Sequence, residues 1–277
     1  MNKYFFISIN VVLLLLCFHV KGQNIKLYYN LEFVKDTLAN NVEKRSMVLW
    51  SEKQNYIFCS EELLIKDSLK KNNFEYSPVL MDEDIEFMTI KKENSISLFS
   101  LVDENLYAVK EDSSILKWDI KRETKKIGNI ECQLATLQYK GRNWEAWFST
   151  KYPITFGPYI FNGLPGAVIE LSDTKKNYIF KLSGIKNTKE NLNIVINQKV
   201  WIVNNLISVT KKGLKKVYLS VYSSPFKKMK EKGIRYMIDE KTGEQQQPPD
   251  FDKMTATAQK YIRDNNNPIE LSEAIKY

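Results

Sequence analysis

"YPITFGPYIFNGLPGAVIEL", Tyr152 to Leu171, decides how this chain folds. The whole protein has 10 Gly and 8 Pro, yet Pro153, Gly157, Pro158, Gly163, Pro165 and Gly166 all fall here. Phe156, Tyr159, Phe161 and Leu164 stand between them, too apolar for a solvated linker. Leu164-Pro165-Gly166-Ala167 fits a type II turn, in which proline presets φ at the second position and glycine supplies a positive φ at the third. Gly157-Pro158 marks a second bend, and Ala167 to Leu171 runs on as a strand. Burying each aromatic ring is worth about 2 kcal/mol, so the stretch reads as an ordered loop folded back onto a sheet. Two readings stay open: a structural corner, or the wall or lid of a binding site. A phosphate-cradling loop does not fit, because such loops feed a helix N-terminus and this one feeds a strand.

Outward from the loop, the chain is written in short alternating runs. "IKLYYNLEFVKDT" from Ile25 places Leu27, Tyr29, Leu31 and Phe33 on one face of a strand. "SMVLWSEKQNYIFCS" reads as a hairpin turning at Ser51 to Gln54. Glu61 to Asn72 starts with acids and ends with lysines, which suits a helix dipole. Further strands are expected at Ile85–Ile90, Ile96–Leu101, Leu106–Val109, Ile115–Lys121, Ile130–Tyr139, Trp144–Ser149, Val168–Leu171, Tyr178–Leu182 and Leu192–Trp201. Asn204–Ser224, Pro225–Lys232 and Phe251–Asp264 read as helices, and Gly243–Asp250 as a loop. Short strands with few helices between them favour antiparallel pairing. The expected fold is α+β and β-dominated: one curved antiparallel sheet of about ten strands, half-barrel-like, with helices mainly in the C-terminal quarter.

One hairpin can be read by register. If Lys140 to Arg142 forms the turn and Tyr139 pairs with Asn143, then Leu134, Thr136 and Gln138 share a face with Phe148, Ala146 and Trp144. Leu137, Tyr139, Glu145 and Trp147 make the opposite, mixed face. Such a half-apolar second face needs a cover or a ligand. The candidate binding residues are therefore Trp147, Tyr139, Phe156, Tyr159, Phe161 and Leu164.

The first 22 residues have the layout of a secretory signal peptide: Lys3, an apolar run from Phe5 to Val20, and small residues before Gln23. A run of about 16 residues broken by Ser8, Asn10 and His19 is short for a membrane span. The expectation is export to the periplasm or the medium, with residues 23–277 as one domain, strand-rich over 23–203 and helical and basic over 204–277. Cleavage lowers the net charge from +8 to +6 and removes the single histidine. That closes Ser-His-Asp and Cys-His chemistry and any histidine-bound zinc. No cofactor or metal is implied, and an exported chain has no nucleic-acid partner to expect.

"FGPYIFNGLPGAVIEL", "IECQLATLQYKGRNWEAWFST" and the terminal "NPIEL" together resemble the GLPGLI family of secreted Bacteroidetes proteins. Ala167-Val168 stands where the name-giving motif has Leu-Ile. The resemblance implies export and a continuous fold, and it adds no catalytic residue.

Cys59 and Cys132 are the two cysteines of the exported chain, readable as buried thiols or as a disulfide that would add about 4 kcal/mol. Asp82-Glu83-Asp84 and Glu61-Glu62 are adjacent acids and splay apart. Lys211 to Arg235 holds nine basic residues against Glu231, a local +8 that leaves −2 for the rest of the exported chain. With Lys211 to Val221 helical, Leu214, Val217, Tyr218 and Val221 form one stripe and Lys211, Lys212, Lys215 and Lys216 the other. That face is either solvated or docks on an anionic membrane surface or acidic partner. The favoured function is a non-enzymatic envelope binding protein for an apolar or amphiphilic ligand or a membrane-associated partner. The alternative is a hydrolase using carboxylates, acting on glycans.

Overall fold

The computed structural model describes residues 24–39, 41–53, 55–72, 81–112, 114–192, 206–233, 241–244 and 249–277. The expected signal peptide, most of the Leu192–Trp201 strand and half of the Gly243–Asp250 loop lie outside them. Twelve strands form one open, curved sheet, confirming a β-dominated α+β fold. In chain order they are β1 Asn24–Val34, β2 Val42–Glu52, β3 Asn55–Ser60, β4 Thr89–Lys92, β5 Ser95–Val102 and β6 Asn105–Asp112. Then follow β7 Asp119–Ile127, β8 Ile130–Tyr139, β9 Arg142–Ser149, β10 Ala167–Asp173, β11 Tyr178–Thr188 and β12 Leu206–Val209. The order across the sheet is β12-β6-β5-β4-β3-β2-β1-β11-β10-β9-β8-β7. Every pairing is antiparallel except β12 on β6.

Two meanders therefore meet in the middle, where β1 pairs with β11. Both are long strands, and Leu27, Leu31 and Phe33 of β1 lie opposite Ile185, Phe180 and Tyr178 of β11. The helices are α1 Glu61–Asn72, α2 Asp82–Ile85, α3 Lys211–Ser223, α4 Lys227–Glu231 and α5 Phe251–Asp264. Ile85 ends α2 instead of opening a strand, and β12 occupies the start of the expected Asn204–Ser224 helix.

Each face of the sheet has its own core. The larger contains Leu31, Phe33, Phe58, Trp144, Phe148 and Phe180, and residues 152–169 pack into it. The smaller lies on the opposite face, where Val48, Trp50, Ile57, Cys59 and Leu106 meet Leu63 of α1 and Ile85 of α2. This face has a cover of two helices along β2 to β6, away from the β8–β9 hairpin whose second face was expected to need one. At the far edge β7 carries Lys121, Arg122, Glu123, Lys125 and Lys126, with a bulge between Ile120 and Thr124. Charges and a bulge on an edge strand oppose pairing with another chain.

The β8–β9 register differs by one residue from the expected one. Lys140 and Gly141 both hold positive φ, 49° and 80°, so the turn has two residues and Tyr139 pairs with Arg142. Leu137, Ala135 and Gln133 consequently share the face of Trp144, Ala146 and Phe148, while Leu134 lies opposite Trp147. The sequence reading took a three-residue turn, and one residue of slip exchanges the faces.

Candidate functional site

The loop between β9 and β10 lies on the larger core, sealed into it. Gly157 N donates to Phe161 O at 2.6 Å, Phe161 N to Pro158 O at 3.1 Å, and Gly163 N to Thr155 O at 3.0 Å. These bonds fold residues 155–163 into a tight finger. Tyr159 sits at its tip with φ 58°, costly for a residue with a Cβ. Its carbonyl accepts a hydrogen bond from Thr89 Oγ1 at 2.8 Å, and its hydroxyl donates to Glu270 at 3.1 Å. Strand β4 and the C-terminal segment thereby hold the strained tip in place.

Phe161 is 2% exposed, with its ring 4.6 Å from that of Trp144. Tyr159, Ile160 and Leu164 are buried beside it. Asn162 pins the finger from outside: its Oδ1 accepts from Leu116 N and its carbonyl from Trp118 Nε1. Of the six candidate binding residues, Tyr159, Phe161 and Leu164 are core, while Tyr139 and Phe156 pack half-buried against them. Trp147 also packs half-buried against this core, with the Lys125 ammonium 4.2 Å from its ring centre.

The glycines act by different means than the turn rule implies. Gly166 does not hold a positive φ. A Cβ there would stand 2.2 Å from the carbonyl oxygen of Ser149, so Gly166 permits a close backbone approach where the loop re-enters the sheet. The positive φ belongs to Gly163, at 94°, where a Cβ would also meet Ile115 at 2.6 Å. At Gly157 it would meet Phe161 O at 2.8 Å. Pro158 and Pro165 flank these contacts.

A second group was missed in the sequence. Arg142 is 4% exposed and donates to Asp173 at 3.0 Å, to Asn267 at 2.6 Å, and to the carbonyls of Pro268 and Ile269. Tyr178 donates to Asn267 O, and Asn267 Nδ2 to Val34 O. The strap 267–270 is thus bolted across β9, β11 and the end of β1. Glu270 receives Tyr159 and lies 3.1 Å from Lys211 Nζ and 3.8 Å from Lys140 Nζ. Burial, then Glu270 and Glu273, push the Tyr139 hydroxyl up to about 12. The only sequence signals were an arginine closing a tight turn and the terminal "NPIEL".

Several carboxylates are held by cations. Burial raises Glu86, which lies 3.0 Å from Lys35, while Lys35 also reaches Glu43 at 3.5 Å. Asp84 pairs with Lys66 at 2.7 Å. Lys211 contacts Glu111 as well as Glu270. Among the described residues no three histidine, cysteine, aspartate or glutamate side chains group as metal ligands. Cys59 and Cys132 are both buried and free, and burial raises both thiols. They stand on β3 and β8 with five strands between them. At about 4.8 Å per strand, that separation far exceeds disulfide reach, which removes the disulfide reading.

The basic stripe divides. Lys211, at the start of α3, is ion-paired inward, while Lys212, Lys215 and Lys216 are exposed. Leu214, Val217, Tyr218 and Val221 are half-buried where the helix packs against β6 and β12. Among the described residues no carboxylate lies within 4 Å of Lys212, Lys215 or Lys216. Lys227 and Lys230 each have one and Lys228 has two.

No family model and no curated protein matches the chain. It is similar to the solved structure of PNGF-II in two crystal forms, with a TM-score of 0.48 and 13% identity. That likeness covers 78% of this chain and 34% of the other, so the chain spans about a third of PNGF-II. It is also similar to a LolA superfamily protein from Nitrosomonas europaea, with a TM-score of 0.31, 7% identity, and coverage of 65% and 92%. Likenesses this distant assign no function. Among the described residues no helix is long and apolar enough to cross a membrane.

Proposed function

We propose that this is a non-enzymatic binding protein of the bacterial cell envelope that works through its exterior. The observation that carries the reading is the filling of the larger core by the chain's own Tyr159, Ile160, Phe161 and Leu164. An apolar or amphiphilic ligand on that face would have to replace these side chains, each worth about 2 kcal/mol of burial. The signal-peptide layout and the GLPGLI resemblance support export. Binding is then a matter of surface, and the exposed Lys212, Lys215 and Lys216 of α3 are an unpaired part of that surface.

Purification of the native protein from envelope and medium fractions, followed by native mass spectrometry, tests this. The expected result is a chain lacking residues 1–22, free of small-molecule adduct, with any partner lost as salt rises. A stoichiometric lipid-sized adduct retained in high salt would place the working site in the interior and overturn the reading.

A further inference from the structure

The exposed face of α3 combines three features. It is basic without relief, since Lys211 to Ser223 contains no acidic residue. It is mounted on the sheet: Thr210 caps its first turn by accepting from Gly213 N at 3.1 Å, and the helix packs against β6 and β12. An apolar tip stands beside the charges, Leu219 on the same face of α3 at 36% exposed. Gln259 and Arg263 of α5 both bond to Tyr222 and hold the two helices together.

We infer that this face docks on an anionic lipid bilayer through Lys212, Lys215 and Lys216, with Leu219 entering the headgroup layer. The inference rests on the exterior-binding reading and names its partner. Charge complementarity selects an anionic surface. Long lysine stems reach headgroups while an apolar tip settles at the interface. A protein partner of fixed shape would call for directional acceptors and donors on this face, and the exposed residues of α3 supply only ammonium groups and the serine hydroxyls of Ser220 and Ser223.

Each lysine near an anionic leaflet contributes about a fivefold gain in partitioning, hence on the order of 100-fold for three. The experiment is co-sedimentation of residues 23–277 with vesicles of phosphatidylcholine containing 30% phosphatidylglycerol, compared with phosphatidylcholine alone, at about 50 and 500 mM salt. Binding is expected only to the anionic vesicles and only at low salt. The variant Lys212→Gln, Lys215→Gln, Lys216→Gln should lose about 100-fold while keeping its melting temperature. A control, Lys126→Gln, Lys151→Gln, Lys186→Gln, carries the same net charge and should bind within a few fold of the parent. Absence of binding at low salt, or equal loss in both variants, overturns the inference. If vesicles are not bound but the α3 variant alone releases a protein retained from the envelope, the lipid partner is wrong and the exterior-binding reading stands.

Discussion

At residue scale the glycines of the loop separate two uses of a missing side chain. Gly163 supplies a positive φ, whereas Gly166 lets two backbones approach. Gly166→Ala must push apart Ser149 and its own strand, for an expected loss of about 3 kcal/mol in urea unfolding. Pro165→Ala should lose less than about 1 kcal/mol, since it mainly frees the unfolded chain. Phe161→Ala removes a ring that is 2% exposed and should cost about 3 to 5 kcal/mol. If instead Phe161→Ala changes stability by less than about 1 kcal/mol, the ring is not core. That Gly166 matters was legible from the motif. Its reason was not, because a turn rule sees four residues and the clash is with a carbonyl seventeen positions upstream.

At the scale of elements, the C-terminal strap shows how side chains join what the backbone pattern leaves apart. Arg142 and Asp173, each with 2% of its side chain exposed, form the bolt under residues 267–270. Breaking a buried pair leaves an uncompensated charge, so Arg142→Met should cost about 3 to 5 kcal/mol. It should also render the chain after α5 susceptible to limited proteolysis. A variant that keeps both its unfolding midpoint and its protease resistance would show that the strap carries no stability. Helices Glu61–Asn72 and Phe251–Asp264 and strand Ile130–Tyr139 were readable to the residue, because charge order, capping and alternation are local. The β8–β9 register was not, because it hangs on whether the turn holds two residues or three, and Lys140 gives no sign of its positive φ.

At the scale of the whole molecule, a strand-rich sheet with late helices followed from alternation and spacing. The strand order did not, since β1 finds its second partner in β11, some 150 residues away, and no local pattern encodes that. The same order keeps Cys59 and Cys132 apart, so the exported protein, denatured without reductant, should titrate two thiols. Zero thiols would require a different arrangement of strands.

The loop from Tyr152 to Gly166 is interior filling, as fixed as the central strands. Native-state amide exchange tests it directly at Gly157, Phe161, Gly163 and Ala167, whose N–H groups are bonded to Phe161, Pro158, Thr155 and Tyr152. If the loop is core, these amides exchange with the same free energy as those of β1 and β11, at the level of global unfolding. Exchange several kcal/mol easier than in those strands, with the sheet still protected, would show a loop that opens by itself and would contradict the account.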